Sequence, residues 1–243
     1  MTSVAVIFIG TNKYLNFLPQ WYERVKKHLF PDVAKTIYVY TDGDLGGDIP
    51  PDMIVVPTEH KDWPRITLER FHTIRDASLK IATMRSHTHL LFLDADMFVN
   101  EDVAFEDVFP EDKDYTGVWH PCHFMKMPPH NSAPGAFEPN PKSTAYLENA
   151  YDYDVYWQGC LWGGKIQPIM HMLDVLCARI DEDDSNDIIA LWHDETHMNK
   201  FFCENADKVN TLPPCFAFPE CYPDYPTNQT IIHLAKDNSK YHV

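Results

Sequence analysis

The stretch Leu91-Phe92-Leu93-Asp94-Ala95-Asp96-Met97-Phe98 sets two carboxylates one residue apart at the end of an apolar run. A short apolar run of this kind reads as a strand buried on both faces of a parallel sheet. Carboxylates at the exit of such a strand lose hydration, and a cation or a set of hydrogen bonds has to compensate. Side chains i and i+2 of a strand share a face, so Asp94 and Asp96 are expected to converge on one spot. Two converging carboxylates suit a hard divalent cation that also holds phosphate oxygens. From these residues alone, the plainer alternative is a strand running into an aspartate-rich turn.

The flanks support a layered fold. Val4 to Gly10 is a β-rich apolar run ending at a glycine, as a first buried strand should. From Tyr14 to Phe30 the apolar residues Leu15, Leu18, Trp21, Tyr22, Val25 and Leu29 recur at helical spacing, with Lys26 and Lys27 near the end. Pro19 marks the expected start of that helix, and Trp21 and Tyr22 read as core. Thr36 to Thr41 and Met53 to Pro57 are the next strands, and a helix is expected from about Leu68 to Arg85. Strands alternating with helices predict an α/β fold with a mostly parallel central sheet flanked by helices. Such sheets bind ligands beyond the carboxyl ends of their strands, where Gly10-Thr11-Asn12 and Asp94-Ala95-Asp96 would both lie.

The second half is more irregular. Prolines 121, 128, 129, 134 and 139, interleaved with His120, His123 and His130, predict a long functional loop between Pro110 and Pro141. His123 and His130 read as loop histidines. A helix is expected from about Lys165 to Ile180, then a solvated acidic turn over Asp181 to Asp187. Ile188 to Phe202 reads as helix, followed by loop until Ile231 to Leu234. No internal repeat or low-complexity linker divides the chain, so a single domain over 1–243 is expected.

Composition narrows the class of function. The 243 residues carry a formal net charge of −16, which argues against nucleic acid as a partner. No apolar stretch approaches the ~18 residues of a membrane span, and no basic leader precedes the first strand. A cytoplasmic, soluble protein with no membrane segment is therefore expected. The six cysteines show no CxxC spacing and read as reduced thiols, and the sequon Asn228-Gln229-Thr230 as accidental.

The segment Leu191 to Lys200 reads LWHDETHMNK. His193 and His197 stand at i, i+4, but a zinc protease needs Glu directly after the first His, and Asp194 stands there. The pair Asp194-Glu195, flanked by Trp192 and His193, is the stronger feature, because carboxylates among aromatics present a base or nucleophile to a sugar. A helix start carrying acids for its dipole is the plainer alternative.

Trp192 to Lys200 resembles the Trp-His-Asp-Glu-Ser-His-Leu-Asn-Lys segment of glycosyltransferase family 6, the family of histo-blood-group transferases and α1,3-galactosyltransferases. Asp94-Ala95-Asp96-Met97 resembles its Asp-Val-Asp metal motif, and Tyr156 to Gly164 its aromatic, double-glycine donor segment. His120-Pro121 and Pro141 to Tyr146 resemble the acceptor loop, and Lys13-Tyr14 with Phe17-Leu18 the nucleotide-binding start. The resemblance implies a GT-A-like nucleotide-sugar transferase fold, with a nucleotide-binding part over about 1–100 and an acceptor and sugar-binding part over about 101–243.

By this resemblance Ile9, Gly10, Thr11 and Tyr14 hold uracil and ribose, and Asp94 and Asp96 bind manganese or magnesium across the donor's phosphates. Lys236, helped by Lys240, clamps the phosphates, and donor binding is expected to order the tail after Asn228. Asp194 bonds the donor sugar, and Glu195 serves as nucleophile or stabiliser at the anomeric carbon. Gln158, Gly159 and Cys160 set donor choice, and the bulk of the Cys160 thiol leans it toward UDP-galactose over UDP-GalNAc. Relatives carry an arginine near Ser78 to Ile81 that reaches the donor sugar; Ile81 matches it best, with Lys80 the adjacent cation. His120, Trp192 and Glu220 are candidates for contact with an oligosaccharide acceptor ending in galactose; His233, upstream of Lys236, resembles instead the third metal ligand of another retaining transferase group of similar fold. The implied activity is retaining transfer of galactose or GalNAc from UDP to a galactoside in α1,3 linkage. The alternatives are a retaining hexosyltransferase using a donor such as UDP-glucose and a sugar-binding relative without catalysis.

Overall fold

The structure is a computed structural model that describes residues 1–125, 136–221, 229–237 and 241; His130, the sequon Asn228 and Lys240 lie outside these. The elements in chain order begin with β1 (Ser3–Ile9), α1 (Leu18–His28), β2 (Ala34–Thr41) and β3 (Met53–Pro57). Next come α2 (Arg65–Leu68), α3 (Arg70–Lys80), β4 (His89–Leu93) and β5 (Met97–Val99). α4 (Phe105–Val108), β6 (Tyr115–Trp119), α5 (Pro121–Phe124), β7 (Trp157–Lys165) and α6 (Ile166–Ser185) follow. The chain closes with α7 (His193–Glu204), β8 (Val209–Leu212), β9 (Phe218–Pro219) and β10 (Ile231–His233).

The main sheet runs β3-β2-β1-β4-β7-β6-β8. Only β7 is reversed, pairing antiparallel with both β4 and β6. This mostly parallel sheet with helices on both faces is the arrangement expected of a GT-A-like fold. From β1 the chain moves outward through β2 and β3, then crosses back to lay β4 on the other side of β1. That reversal is a topological switch point, and the crevice beyond the carboxyl ends of β1 and β4 is where such a sheet accepts a ligand.

Alternation along β1 divides the core. Val4, Val6 and Phe8 pack with Trp21 and Val25 of α1, and with Leu29 just after it, on one face. Ala5 and Ile7 face the other way, into Phe71 and Ile74 of α3 and Leu173 and Leu176 of α6. Pro19 sits in the first turn of α1, as expected, and Trp21 is buried. All six cysteines are free thiols. Among the described residues no helix is long and apolar enough to cross a membrane.

Four local expectations are corrected. The run Leu91 to Phe98 is not one strand: β4 ends at Leu93, and Asp94 to Asp96 form a turn, closed by the Met97 N–H donating to the Asp94 carbonyl at 3.1 Å. The two aspartates are therefore presented by a turn rather than by strand alternation. The helix expected to reach Arg85 stops at Lys80 and begins only at Arg70, after the separate turn of α2. The tail after α7 is not all loop: β8 extends the main sheet, while β9 joins β10 and β5 in a second small sheet.

The fourth correction concerns the acidic run, which is the last turn of α6 and not a free turn. Acids at a helix C-terminus oppose the dipole, but here they have partners. Arg65 meets Asp184 at 2.6 Å and His72 meets Asp181 at 2.9 Å. Asp183 is buried and accepts hydrogen bonds from the Ser143 hydroxyl at 2.5 Å and the Thr144 N–H at 2.6 Å. This bracket ties the loop of Pro141 to Tyr146 to the core. Asp183→Ala leaves those donors buried and unpaired, and should cost about 2–4 kcal/mol. A chemical denaturation curve checks the loss, and hydrogen exchange at Thr144 checks that it is local; an unchanged midpoint removes the bracket from the account.

Candidate active site

A cleft lies beyond β1 and β4. One wall is Ile9, Thr11 and Tyr14, leaving β1, and the other is His60, Trp63, Ile66 and Thr67, from the segment after β3 through α2. The Thr11 hydroxyl and His60 Nδ1 are 2.8 Å apart, joining the two walls at one end. Gly10 cannot carry a side chain here, because a Cβ would lie 2.3 Å from the Phe8 ring. Lys236 stands over the Tyr14 ring at 5.0 Å, and Tyr241 packs edge-on against Tyr14 at 5.2 Å. The described part of the tail thus lies on the wall assigned to the nucleoside.

Asp94, Ala95 and Asp96 form the floor. The turn that carries them is fixed by the Trp21 indole, which donates to the Asp94 carbonyl at 3.1 Å, and by Asp94 N–H donating to the Cys160 carbonyl at 2.9 Å. β10 pairs antiparallel with β5, and Leu234 N–H donates to the Asp96 carbonyl, so His233 and Lys236 arrive beside Asp96. His233 Nε2 lies 3.2 Å from Asp96 Oδ2, and the Lys236 ammonium pairs with the same oxygen. Burial alone would raise the Asp96 pKa, but His233 and Lys236 hold it well below the usual carboxylate range. Asp94 goes the other way: burial and the neighbouring Asp96 raise it, against the pull of Arg70.

Among the described residues no three His, Cys, Asp or Glu side chains form a ready metal cage. The floor does fit a hard cation of another kind. Asp94 and Asp96 are oxygen donors on one turn, with Asp96 held ionised, and a cation bound by one or two carboxylates completes its shell with phosphate oxygens and water.

Arg70 is the hub of the site. Its Nη1 lies 3.3 Å from Asp94 Oδ1 and 3.1 Å from the Gly159 carbonyl, and its Nε lies 3.0 Å from Asp194 Oδ2. Its guanidinium stacks over Phe92 at 4.8 Å. Asp194 and Glu195 open α7, where carboxylates favour the helix dipole. Glu195 Oε2 accepts the Gly159 N–H at 2.7 Å. A Cβ on Gly159 would lie 3.2 Å from Glu195 Cβ, so glycine allows β7 to approach α7 this closely. Burial raises Glu195 to about 7, with the Asp194 charge adding to it and the Gly159 hydrogen bond opposing. Burial likewise raises Asp194 to about 6, against Arg70. His193, which starts α7, has a left-handed φ of 51°, a strained conformation of the kind found at functional sites.

The remaining expected residues fall into place unevenly. Cys160 and Gln158 are both buried, Gln158 with its Nε2 3.2 Å from His233 Nδ1. His120 is buried with its Nδ1 accepting from Cys122 N–H, and burial with His123 and His233 nearby lowers it to about 3. The Trp192 indole N–H is buried without a hydrogen-bond partner among the described residues. Glu220 is exposed and its carboxylate accepts the Ala235 N–H at 2.9 Å, which fastens the tail. His123 is not a loop residue as expected but sits in the short helix α5, where its Nδ1 accepts from the Trp119 indole at 3.3 Å.

One expectation does not assemble, and a histidine pair set aside in the sequence is no pair in the structure either. Lys80 is exposed at the end of α3 and lines no part of the cleft; the cation that enters the site is Arg70, ten residues earlier. His193 and His197 part company: His193 packs on Trp63 at 5.0 Å, while His197 is buried 3.6 Å from Asp183. Sequence reasoning passed over Arg70, His60 and Trp63. The one signal for Arg70 is a charge at a position where α3 turns its apolar stripe, with Phe71, Ile74 and Ala77, toward the core.

With this geometry in hand, comparison with known proteins places the chain. The sequence model of Glycosyltransferase family 6 matches residues 1–242. The O-antigen biosynthesis glycosyltransferase WbnI of Escherichia coli is 25% identical over 220 residues, covering 90% of this chain and 89% of that protein. Histo-blood group ABO system transferase 1 of Rattus norvegicus is 26% identical over 211 residues, 82% of this chain and 56% of its own length. Globoside alpha-1,3-N-acetylgalactosaminyltransferase 1 of Homo sapiens is 23% identical over 235 residues, 94% of this chain and 65% of its own. The chain therefore spans nearly all of the bacterial relative and less than two thirds of the animal ones. A match across the full described fold, cleft included, means that the chain belongs to glycosyltransferase family 6.

Proposed function

We propose that the protein is a retaining glycosyltransferase that moves galactose or N-acetylgalactosamine from a UDP-sugar to a galactoside acceptor, forming an α1,3 linkage with help from a divalent cation. The observation that carries this reading is the placement of Glu195. Its carboxylate hangs from the Gly159 N–H at 2.7 Å, next to the linked set Asp194, Arg70 and Asp94. That set leads from the sugar-handling acids to the phosphate-handling floor, as a donor split between the two requires.

In this reading Ile9, Thr11 and Tyr14 take the nucleoside, with the backbone at Gly10 close by, and Lys236 and the Arg70 guanidinium face the negative charge of the departing diphosphate. Asp94 and Asp96 hold the cation, manganese or magnesium, which when bound supplies Lewis-acid stabilisation to the leaving group. Lys236 then exchanges Asp96 for phosphate. Asp194 orients the sugar hydroxyls, and Glu195 lies beneath the anomeric carbon as nucleophile or as a charge stabilising an oxocarbenium-like transition state. Gln158, Gly159 and Cys160 wall the sugar, and the bulk of the buried Cys160 thiol favours galactose. His120, kept neutral by burial, and the unpartnered Trp192 indole are fit to receive acceptor hydroxyls, with Glu220 at the edge.

Titration calorimetry with UDP tests the cation and nucleotide parts together. Manganese should tighten UDP binding by about tenfold or more, and Asp96→Asn should abolish the gain. Binding indifferent to both metal and substitution overturns the role given to Asp96. A donor-by-acceptor screen read by mass spectrometry identifies the sugar, and transfer to no galactoside overturns the acceptor assignment.

A further inference from the structure

We propose that Asn199 is a positioning residue for sugar transfer: its side-chain amide fastens α7 to β7 and so holds the Glu195 carboxylate on the Gly159 N–H. The inference rests on the reading of Glu195 as the group that serves the anomeric carbon. Asn199 is fully buried in α7, one turn after Glu195. Its Oδ1 accepts the Trp157 N–H at 2.7 Å, and its Nδ2 donates to the Trp157 carbonyl at 2.7 Å and to the Glu195 carbonyl at 2.8 Å. The N–H and the carbonyl of Trp157 demand opposite partners, which fixes the way the amide faces.

The need for such an anchor arises in β7. Its pairing with β6 jumps: Gly117 lies opposite Trp162, while the next residue, Val118, lies opposite Gln158. Gly159, Cys160 and Leu161 therefore bulge out of the β6 ladder, and a bulge re-aims backbone groups. Here those groups serve the site. Gly159 N–H donates to Glu195 at 2.7 Å, the Gly159 carbonyl accepts from Arg70 at 3.1 Å, and the Cys160 carbonyl accepts the Asp94 N–H at 2.9 Å. On the other edge of β7, β4 stops at Leu93, opposite Leu161, and among the described residues no strand on that edge pairs with Trp157. A side-chain amide carries the donor and the acceptor of a peptide group, so Asn199 satisfies both backbone groups of Trp157 where the strand has ended.

Two contacts thus join α7 to the start of the bulge within one helical turn, Asn199 on Trp157 and Glu195 on Gly159. They differ in kind. The Asn199 contact ties backbone to backbone through a short side chain and sets where the helix stands. The Glu195 contact is made by a longer, charged side chain whose reach depends on that placement. There is little slack, because a Cβ on Gly159 would already lie 3.2 Å from Glu195 Cβ. A carboxylate placed in advance needs no reorganisation as positive charge develops, and a displacement of about 1 Å can cost about 10²-fold in rate. Alanine at position 199 would remove all three bonds and leave both Trp157 groups buried. Aspartate would keep the shape and the Trp157 N–H bond, but would set an oxygen against two carbonyls.

A double-mutant cycle with Glu195→Gln tests this, read as UDP release from UDP-galactose and UDP-GalNAc, each with manganese and lactose. Asn199→Ala should lower kcat about 10²-fold, while UDP affinity by calorimetry stays within about threefold of wild type. Asn199→Asp should lose about tenfold or more in the same way. In the Glu195→Gln background no charge is left to place, so either Asn199 substitution should lower the residual rate by less than about threefold. A packing defect would cost the same factor in both backgrounds, and that result overturns the inference while leaving the role of Glu195 standing. Wild-type kcat in the Asn199 variants also overturns it. Thermal melts and UDP binding read folding, and Asn199→Asp carries the cycle if Asn199→Ala does not fold. A Glu195→Gln variant with wild-type kcat, or a wild type that turns over neither donor, removes the reading of Glu195 and this inference with it.

Discussion

Glu195→Gln should lower kcat for sugar transfer about 10³-fold or more, while UDP binding stays nearly intact. Glutamine keeps the shape and can still accept the Gly159 N–H, so the backbone contact of 2.7 Å survives the change. What is lost is the negative charge, which is needed only as positive charge develops at the anomeric carbon. An interaction made only in the transition state shows in kcat rather than in binding. Transfer kinetics by product mass spectrometry measure this, and a variant with wild-type kcat ends the catalytic assignment of Glu195.

The same carboxylate predicts a pH profile. Burial raises Glu195 from 4.5 to about 7. Because the ionised form does the work, kcat/KM of the wild type should rise with pH through about 7 and then level. The effect on stability has the opposite sign. The native state holds its proton where the unfolded chain has released it, so stability falls as pH climbs from the unfolded value toward the folded one. Glu195→Gln removes that penalty. At pH 8 the inactive variant should be more stable than the wild type, on the order of 1–3 kcal/mol, and at pH 4 the two should match. Equal stability at pH 8 means that the carboxylate is not strained by burial.

Arg70→Met should destabilise the protein by about 3–5 kcal/mol. The side chain is 9% exposed and faces Asp94 at 3.3 Å and Asp194 at 3.0 Å, with a further bond to the Gly159 carbonyl. Removing the guanidinium leaves two buried carboxylates with less counter-charge, and methionine fills the stem's volume without replacing a single donor. Lysine should not rescue, because one ammonium cannot span both carboxylates and a carbonyl as the planar fork does. Arg70→Met with Asp194→Asn should recover part of the loss, since the second change removes one of the stranded charges. The deficit should shrink toward acid pH, where the carboxylates protonate. Urea denaturation at pH 8 and pH 5 decides it, and a loss below about 1 kcal/mol at pH 8 would rule out Arg70 as the hub.

Much of the chemistry was legible because it lies in local runs. Asp94-Ala95-Asp96, Trp192 to Lys200 and Tyr156 to Gly164 each carry their residue types in consecutive order. The structure puts Asp94 and Asp96 on the cleft floor and Glu195 against Gly159. Element types in the first half were equally legible, because buried strands and an amphipathic helix have different apolar periods. Less legible were the short strands β8 and β9, which have too few residues to show a period and exist because a sheet edge offers hydrogen bonds. The acidic run at the end of α6 misled for a related reason. Asp183 looks solvated in sequence and is buried because Ser143 and Thr144, 40 and 39 residues away along the chain, donate to it.

From its sequence alone, this chain is a layered α/β protein with a paired-aspartate turn and a Trp-His-Asp-Glu segment, since periodicity and local motifs are properties of neighbouring residues. Only the tertiary structure decided that Arg70 rather than Lys80 enters the site, that His193 and His197 form no pair, and that Gln158 and Asp96 hold opposite sides of the His233 ring. Those outcomes depend on hydrogen bonds between residues as far apart as 137 positions in the chain. Such partners are chosen by strand order and burial, which place one buried charge beside another only after the sheet has formed.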